Sequence, residues 1–168
     1  YRYDTQIIAL ILSYDPDSDP DCAAAVGASA ALHISDIPFN GPTAGVRVGR
    51  VNGEYVINPS WETLKSGKSD LEVFVAGTAK AIMMVEGGAN QVPEEEVLGA
   101  VLTGHREIQK IVKSIEELRS LCGREKREFV AASVEESVKS AVERIAKAPL
   151  RKALTTKEKL ERYALVKE

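Results

Sequence analysis

The sequence is poor in aromatic residues and in cysteine, and it has no long apolar run. Its 168 residues include 1 Trp, 3 Phe and 2 Cys. A folded core must therefore be aliphatic. Cys22 and Cys122 are far apart and show neither metal-site spacing nor the density of a disulfide framework, so we expect a reducing, cytoplasmic setting. No stretch approaches the ~18 apolar residues of a membrane span, and we expect no membrane partner.

Charge is spread unevenly along the chain. Residues 1–123 carry a net charge of −7, whereas residues 124–168 carry +4. A change of sign at Gly123 predicts two modules, one over 1–123 and one over 124–168. The chain opens on Tyr1 rather than on a methionine, with an apolar strand-like run close behind. We therefore expect it to be a fragment of a longer protein.

The pattern of apolar and turn-forming residues predicts mixed elements followed by helices only. An apolar run predicts a strand over Thr5–Tyr14, and the acidic, proline-containing Asp15–Asp21 predicts a rigid loop that caps the next helix. The further predicted elements are a helix over Cys22–Ile34, a hairpin of Ala44–Arg50 and Glu54–Asn58, a short helix at Trp61–Leu64, a helix from Pro93 to Gly123, and helices over Val134–Ala148, closed by Pro149, and Lys157–Lys167. This order indicates an α+β fold followed by an all-α module.

One predicted hairpin stands out as the centre of the sheet. Its strands, Leu71–Val75 and Ala81–Val85, are separated by a turn that contains Gly77. Both strands are apolar on nearly every residue. Since buried strands have apolar residues on both faces, we expect helices to cover both sides of this hairpin.

Five stretches together resemble one known family. They are GASAALHISDIPFNGP (27–42), VGRVNGEYVINP (48–59), SDLEVFVAGT (69–78), PEEEVLGAVLTGHREIQ (93–109) and KEKLERY (157–163). In this order they resemble the first RNase PH-type core domain (ribosomal protein S5 domain 2-like) of polynucleotide phosphorylase and the start of the all-helical domain that follows it. The resemblance implies that the second core domain and the RNA-binding KH and S1 domains lie outside this chain.

The resemblance also implies an activity for the parent protein. That activity is phosphate-dependent 3′-to-5′ degradation of mRNA to nucleoside diphosphates, which can run in reverse. It implies inorganic phosphate as co-substrate, Mg²⁺ at the other core domain, a cytoplasmic homotrimeric ring, and contacts with an endoribonuclease and a helicase of the RNA-degradation machinery. The alternative is a non-catalytic RNA-binding ring subunit of an exosome-like complex, although such subunits have no second core for the basic helical tail to reach.

Within this family, the resemblance implies that the present half is a degenerate copy. Asp19 and Asp21 stand where the catalytic half has phosphate-binding hydroxyls, and carboxylates repel phosphate. Asp70 and Glu72 keep part of the acidic pattern, but Phe74 stands where a lysine is expected. We therefore expect no catalytic residue and no metal site in this chain.

Several residues leave two interpretations open. Arg47, Arg50, Lys65 and Lys68 could form a basic strip for the RNA backbone, or they could be ordinary surface. Asp70 and Glu72, two residues apart on a strand, could bind Mg²⁺ or simply be solvated. The two histidines, His33 and His105, have no neighbouring nucleophile in the sequence and are expected to pack or cap.

Overall fold

The computed structural model describes residues 3–15 and 17–167, and it divides the chain into two compact units, one ending at Phe129 and one beginning at Val130. The strands are β1 (Ala44–Val51), β2 (Glu54–Ile57), β3 (Ser69–Gly77) and β4 (Ile82–Ala89); the helices are α1 (Pro20–Ile34), α2 (Trp61–Lys65), α3 (Glu94–Cys122), α4 (Glu136–Thr155) and α5 (Lys159–Lys167). The predicted α+β class followed by helices is confirmed. In the described part of the chain, no helix is both long and apolar enough to cross a membrane.

The four strands form one antiparallel sheet in the order β2-β1-β3-β4. The β1–β2 turn is the predicted Asn-Gly pair, and both residues have positive φ, 52° at Asn52 and 85° at Gly53. That geometry suits the twist of a two-residue hairpin. The register places Val46 opposite Val75, so side chains of the two central strands that point to the same face meet in pairs.

The core lies between that face of the sheet and α3. Its valines and leucine on β1 and β3 are at most 3% exposed, and they pack with Ala100, Ile108 and Val112 of α3. These helix residues are four or eight positions apart, so they form one stripe. Gly104 lies in the same stripe, where a Cβ would stand only 3.1 Å from Val48 and Val75. The small residue therefore lets α3 lie close to the sheet.

Helix α1 packs against both β1 and α3. Its buried polar side chains have partners: the Ser29 hydroxyl accepts a hydrogen bond from the backbone N–H of Thr43, 2.8 Å away. His33 is 1% exposed, and its Nε2 lies 3.0 Å from a carboxylate oxygen of Glu116 on α3. These contacts join the helix to the start of β1 and to α3, as expected for a packing histidine.

Residues 123–129 lack secondary structure but hold the end of α1. The N–H of Arg124 donates to the Ile34 carbonyl at 2.8 Å. The ammonium of Lys126 donates to the carbonyls of Leu32, His33 and Ser35 at 2.9, 2.9 and 2.7 Å. Since the last carbonyls of a helix have no partner within it, these bonds satisfy groups that would otherwise need water. The segment thus stays with the first unit, and the predicted domain boundary between 123 and 124 remains a prediction.

Two predictions about the sheet are wrong. Residues of Thr5–Tyr14 form no strand and are exposed, because a strand needs a neighbour to pair with and no described strand pairs with them. The expectation that helices cover both faces of the β3–β4 hairpin also fails at β4. That strand lies at the sheet edge beyond the main contact of α3, and Met83, Met84 and Val85 are 68, 43 and 50% exposed.

The second unit corrects two helix boundaries. Helix α4 begins at Glu136 rather than at Val134, and no side chain caps it. Pro149 does not end it, and the helix continues to Thr155. A proline within a helix removes one backbone hydrogen bond. Here packing outweighs that loss: Ala153, in the turn after the proline, is 2% exposed, and α5 packs on α4.

Candidate functional site

A cluster of charged and aromatic side chains forms on the sheet face opposite the core. Arg47 of β1 lies directly across from Phe74 of β3, and Glu72 lies across from Gly49. Alternate residues of a strand point to opposite faces of the sheet. The side chains of Arg47, Glu72 and Phe74 therefore point away from the face that carries the buried valines. Strand register therefore brings together residues that are 25 or more positions apart.

The N-terminus of α1 adds two carboxylates. Asp19 is the N-cap, and its side chain accepts a hydrogen bond from the N–H of Asp21 at 3.2 Å. Nη2 of Arg47 donates to Asp19 at 2.9 Å and to Asp21 at 2.5 Å, while Nη1 donates to Glu72. One guanidinium thus holds three carboxylates, each through a charge-assisted hydrogen bond.

Aromatic rings complete this group. The guanidinium carbon of Arg47 lies 5.8 Å from the ring centre of Phe74 and 5.7 Å from that of Trp61 on α2. Both distances are within the range for cation–π attraction. A Cβ on Gly45 would stand 2.5 Å from the Phe74 ring, so the glycine makes room for that ring. We call Arg47, Asp19, Asp21, Glu72, Phe74 and Trp61 the Arg47 cluster.

The electrostatics of the Arg47 cluster disfavour an anionic ligand. Burial lowers the pKa of the Arg47 guanidinium, but the charges of Asp21, Glu72 and Asp19 outweigh burial, and the net pKa is raised above its ordinary value. The arginine side chain is only 14% exposed. With one cation and three carboxylates, the group carries a charge of −2. The Nη1 and Nη2 groups of Arg47 donate to these carboxylates, whereas its buried Nε–H has no hydrogen-bond partner in the described structure.

The other predicted arginine belongs to a separate group. The β1–β3 register shifts at Arg50, which lies opposite Leu71. Arg50 Nη1 donates to Asp70 at 2.6 Å, and its Nε lies 3.3 Å from Glu96 of α3. The Tyr55 hydroxyl donates to the same Glu96 carboxylate at 2.9 Å, and burial together with that carboxylate raises the pKa of Tyr55. This second group ties the sheet to the start of α3.

The four basic residues predicted to contact RNA are therefore divided between different environments. Arg47 and Arg50 are held by carboxylates. Lys65 is exposed, and its ammonium lies 5.1 Å from the centre of the Trp61 ring. Lys68 is exposed and lies 3.7 Å from Glu62. RNA contact by these residues stays a prediction, and only the two lysines have cations open to solvent.

The carboxylates do not fit a metal ion. The two acidic residues that kept part of the family's acidic pattern, Asp70 and Glu72, are each bound to a different arginine. Within residues 3–15 and 17–167, no three His, Cys, Asp or Glu side chains are grouped so that they could hold a metal. Mg²⁺ prefers carboxylates that are free to bind it together with waters, and here both acids already neutralise a guanidinium.

Sequence reasoning missed two members of these groups. Trp61 was assigned only to a short helix, although it is the single tryptophan of the chain and follows the helix-capping Ser60, whose hydroxyl accepts the Thr63 N–H. Glu96 falls within the helix predicted from Pro93 to Gly123 and has no separate role in that prediction. No local signal pointed to either contact, because each depends on how distant elements pack.

The sequence of this chain is similar to those of known proteins. Residues 41–107 match the model of the 3′ exoribonuclease family, domain 2. The chain is 48% identical over 165 residues to the polyribonucleotide nucleotidyltransferase of Geobacter sulfurreducens, 49% over 168 residues to that of Solibacter usitatus, and 56% over 123 residues to that of Sulfurihydrogenibium azorense.

These alignments cover 98, 99 and 73% of this chain but only 23, 24 and 17% of the respective relatives. The chain therefore spans less than a quarter of the length of the relatives that it matches. Identity near one half over almost every residue confirms the resemblance seen in the five sequence stretches. The chain belongs to the polyribonucleotide nucleotidyltransferase family, of which it represents one segment.

Proposed function

We propose that this chain is the non-catalytic core segment of a polyribonucleotide nucleotidyltransferase, together with the start of its helical domain. The whole enzyme would degrade RNA from the 3′ end, use inorganic phosphate to release nucleoside diphosphates, and run in reverse to extend RNA. The names of the relatives support this activity. The match to the 3′ exoribonuclease family model supports the same chemistry.

The observation that carries the non-catalytic role is the Arg47 cluster. Phosphorolysis needs hydrogen-bond donors that face a phosphate dianion. Here the one guanidinium of the cluster is occupied by Asp19, Asp21 and Glu72, and no lysine stands at position 74. Two like charges ~4 Å apart repel by about 1 kcal/mol in water and by about 4 kcal/mol at an effective dielectric of ~20. An incoming phosphate would meet that repulsion from each carboxylate.

The remaining features of the proposal follow from the family. Phosphate and Mg²⁺ would act at the other core domain, since Asp70 and Glu72 are each bound to an arginine and the described residues contain no group of three metal-ligating side chains. The enzyme would form a cytoplasmic homotrimeric ring that threads RNA, and it would work beside an endoribonuclease and a helicase. The exosome-like ring subunit is the less favoured alternative, because relatives named polyribonucleotide nucleotidyltransferase align through the helical tail as well as through the sheet.

The test is phosphate-dependent release of ADP from poly(A) at a few millimolar Mg²⁺. We expect activity in the longer natural polypeptide that contains this segment and none in the 168-residue chain. Within the longer polypeptide, Asp21→Asn and Glu72→Gln should leave the rate within about two-fold. Phosphorolysis by the chain alone, or loss of the rate in either variant, would contradict the non-catalytic role. Retention of RNA without ADP release by the longer polypeptide would favour the ring-subunit alternative.

A further inference from the structure

The only tryptophan of the chain stands at the surface rather than in the core. Trp61 is half-buried and does not belong to the apolar cluster between the sheet and α3. It starts the five-residue helix α2, which packs on β3 and whose Trp61 ring centre lies 5.7 Å from the guanidinium carbon of Arg47 on β1. A large aromatic side chain at such a position contributes little to the core and leaves part of its ring open to solvent.

Cations and rings form a continuous series at this point. Phe74, Arg47, Trp61 and Lys65 follow one another, with cation-to-ring distances of 5.8, 5.7 and 5.1 Å. The inner cation, Arg47, is neutralised by carboxylates. The outer cation, Lys65, is exposed and forms no ion pair with any described residue.

A second lysine lies beside the same short helix. Gly67, at φ +72°, turns the chain after α2, and its N–H donates to the Leu64 carbonyl at 3.3 Å. The chain then places Lys68 within 3.7 Å of Glu62, the residue next to Trp61. Two exposed lysines, Lys65 and Lys68, thus lie on or next to α2, and Lys68 has a carboxylate partner.

We propose that Trp61, Lys65 and Lys68 form a stacking platform for single-stranded RNA. A base would stack on the Trp61 ring, and the neighbouring phosphates would contact the ammonium groups of Lys65 and Lys68. Aromatic stacking combined with a basic border is how proteins bind single strands without reading their sequence. The inference rests on the proposed function, since RNA is the polymer on which that function acts.

The surrounding charges decide which groups can hold phosphate. Asp21 and Glu72, 43 and 39% exposed, are bound to Arg47 and would repel phosphates from that arginine. The phosphates would therefore be held by the two lysines. Lys65 can leave the ring for a phosphate at little cost, because a cation–π contact at an exposed site is weak. The base then takes its place on the indole.

Tryptophan fluorescence tests the stacking directly, because Trp61 is the single tryptophan of the chain. We expect oligo(A) of twelve nucleotides to quench the fluorescence in a saturable way, since a stacked base quenches indole emission. Inorganic polyphosphate of similar charge should produce little quenching, because it has no base. No quenching by oligo(A), or equal quenching by polyphosphate, would overturn the platform.

Variants of the chain test the individual roles by anisotropy of a labelled oligo(A). Trp61→Leu should weaken binding by about five-fold or more, and Trp61→Phe by less, because a base-stacking ring is lost or only reduced. Lys65→Ala should weaken binding and lower the slope of log K against log salt by about 0.7, as one phosphate contact is lost. Lys113→Ala, an exposed lysine on α3, is the matched control. Far-UV circular dichroism checks that each variant folds.

The outcomes separate this inference from the proposed function. Equal oligo(A) affinity in Trp61→Leu, Lys65→Ala and Lys113→Ala overturns the platform, as does an absence of oligo(A) binding by the unaltered chain. Neither result affects the proposed function, because that function is tested separately by ADP release from the longer polypeptide in the phosphorolysis assay. A larger loss for Trp61→Leu and Lys65→Ala than for Lys113→Ala supports the platform.

Discussion

Replacing Arg47 with alanine removes the cation that three carboxylates share. The bond to Asp19, whose side chain is 15% exposed, is a charged hydrogen bond worth about 1.5–3 kcal/mol. The bonds to Asp21 and Glu72 are more exposed and worth at most about 1 kcal/mol each. Contacts with two aromatic rings add about 0.5–1 kcal/mol each. Since water will rehydrate part of what is exposed, we expect a loss of about 3–5 kcal/mol, the range for breaking a buried ion pair.

Urea unfolding followed by Trp61 fluorescence reports this loss in the first unit, because the single tryptophan of the chain lies there and its ring centre is 5.7 Å from the Arg47 guanidinium carbon. With a urea slope of about 2 kcal/mol/M, the midpoint should fall by about 1.5–2.5 M. Arg47→Lys keeps the charge but lacks the planar fork that bonds several carboxylates at once, so it should lose about 1–2 kcal/mol. A change below about 0.5 kcal/mol in Arg47→Ala would refute the assignment of Arg47 as the organiser of the cluster.

A double variant separates two contributions to the lost stability: the attraction between Arg47 and Asp19, and the cost of leaving the Asp19 carboxylate without its cation. Once Arg47 is gone, Asp19 remains largely buried beside two other carboxylates. Adding Asp19→Asn to Arg47→Ala should therefore restore about 1 kcal/mol, whereas Asp19→Asn by itself should destabilise the chain. Coupling of this kind is expected for residues in direct contact. If the loss of stability in the double variant equals the sum of the losses in the two single variants, the two side chains do not interact in solution.

Three further predictions concern other parts of the fold. Gly87→Ala should destabilise the chain by more than about 2 kcal/mol in urea unfolding, because a Cβ there would stand 2.1 Å from a backbone oxygen of β3. The adjacent Gly88→Ala is the control and should be nearly neutral, because a Cβ there would have no neighbour within 4 Å. Burial and then a carboxylate hydrogen bond raise the pKa of the Cys22 thiol from 9.0 to about 12. The folded chain thus keeps a thiol proton that the unfolded chain loses, so the free energy of unfolding falls as pH rises from about 9 to 12. At pH 8, iodoacetamide should label the exposed Cys122 but not the buried Cys22. Mass mapping of the labelled cysteines measures this. Lys126→Met should increase amide hydrogen exchange in the last turn of α1, since three carbonyls there lose their donor.

Local signals predicted most elements of the fold because those elements are set by neighbouring residues. Proline and three glutamates mark the start of α3, and its apolar spacing continues for the 29 residues that the structure shows. The Asn-Gly pair fixed the first hairpin for the same reason. The prediction of a strand over Thr5–Tyr14 was wrong because strand pairing depends on distant residues. The predicted end of α4 was wrong because packing at Ala153 outweighs the effect of Pro149.

The candidate site shows the same division. The resemblance places phosphate-binding hydroxyls at Asp19 and Asp21 and a lysine at Phe74, whereas Glu72 keeps part of the acidic pattern. The structure brings all four side chains to Arg47. Their shared partner was not predicted. For Arg47 the sequence leaves a basic strip or ordinary surface open, since nothing near it in the sequence reveals that β1 and β3 align Arg47 with Phe74. Long-range register decides which charges meet, and composition alone does not contain it.

The Arg47 cluster carries its own anions. A phosphate site is a group of donors around a position that an anion fills, and without the anion the donors repel or must be hydrated. In this chain the anions are covalently part of the protein, as three carboxylates around one guanidinium. Both Nη atoms of Arg47 therefore have partners without a ligand, and its buried Nε–H has none among the described residues. Asp19, Asp21 and Phe74 act together around this arginine: the two carboxylates supply negative charge, and the ring centre lies 5.8 Å from the guanidinium carbon.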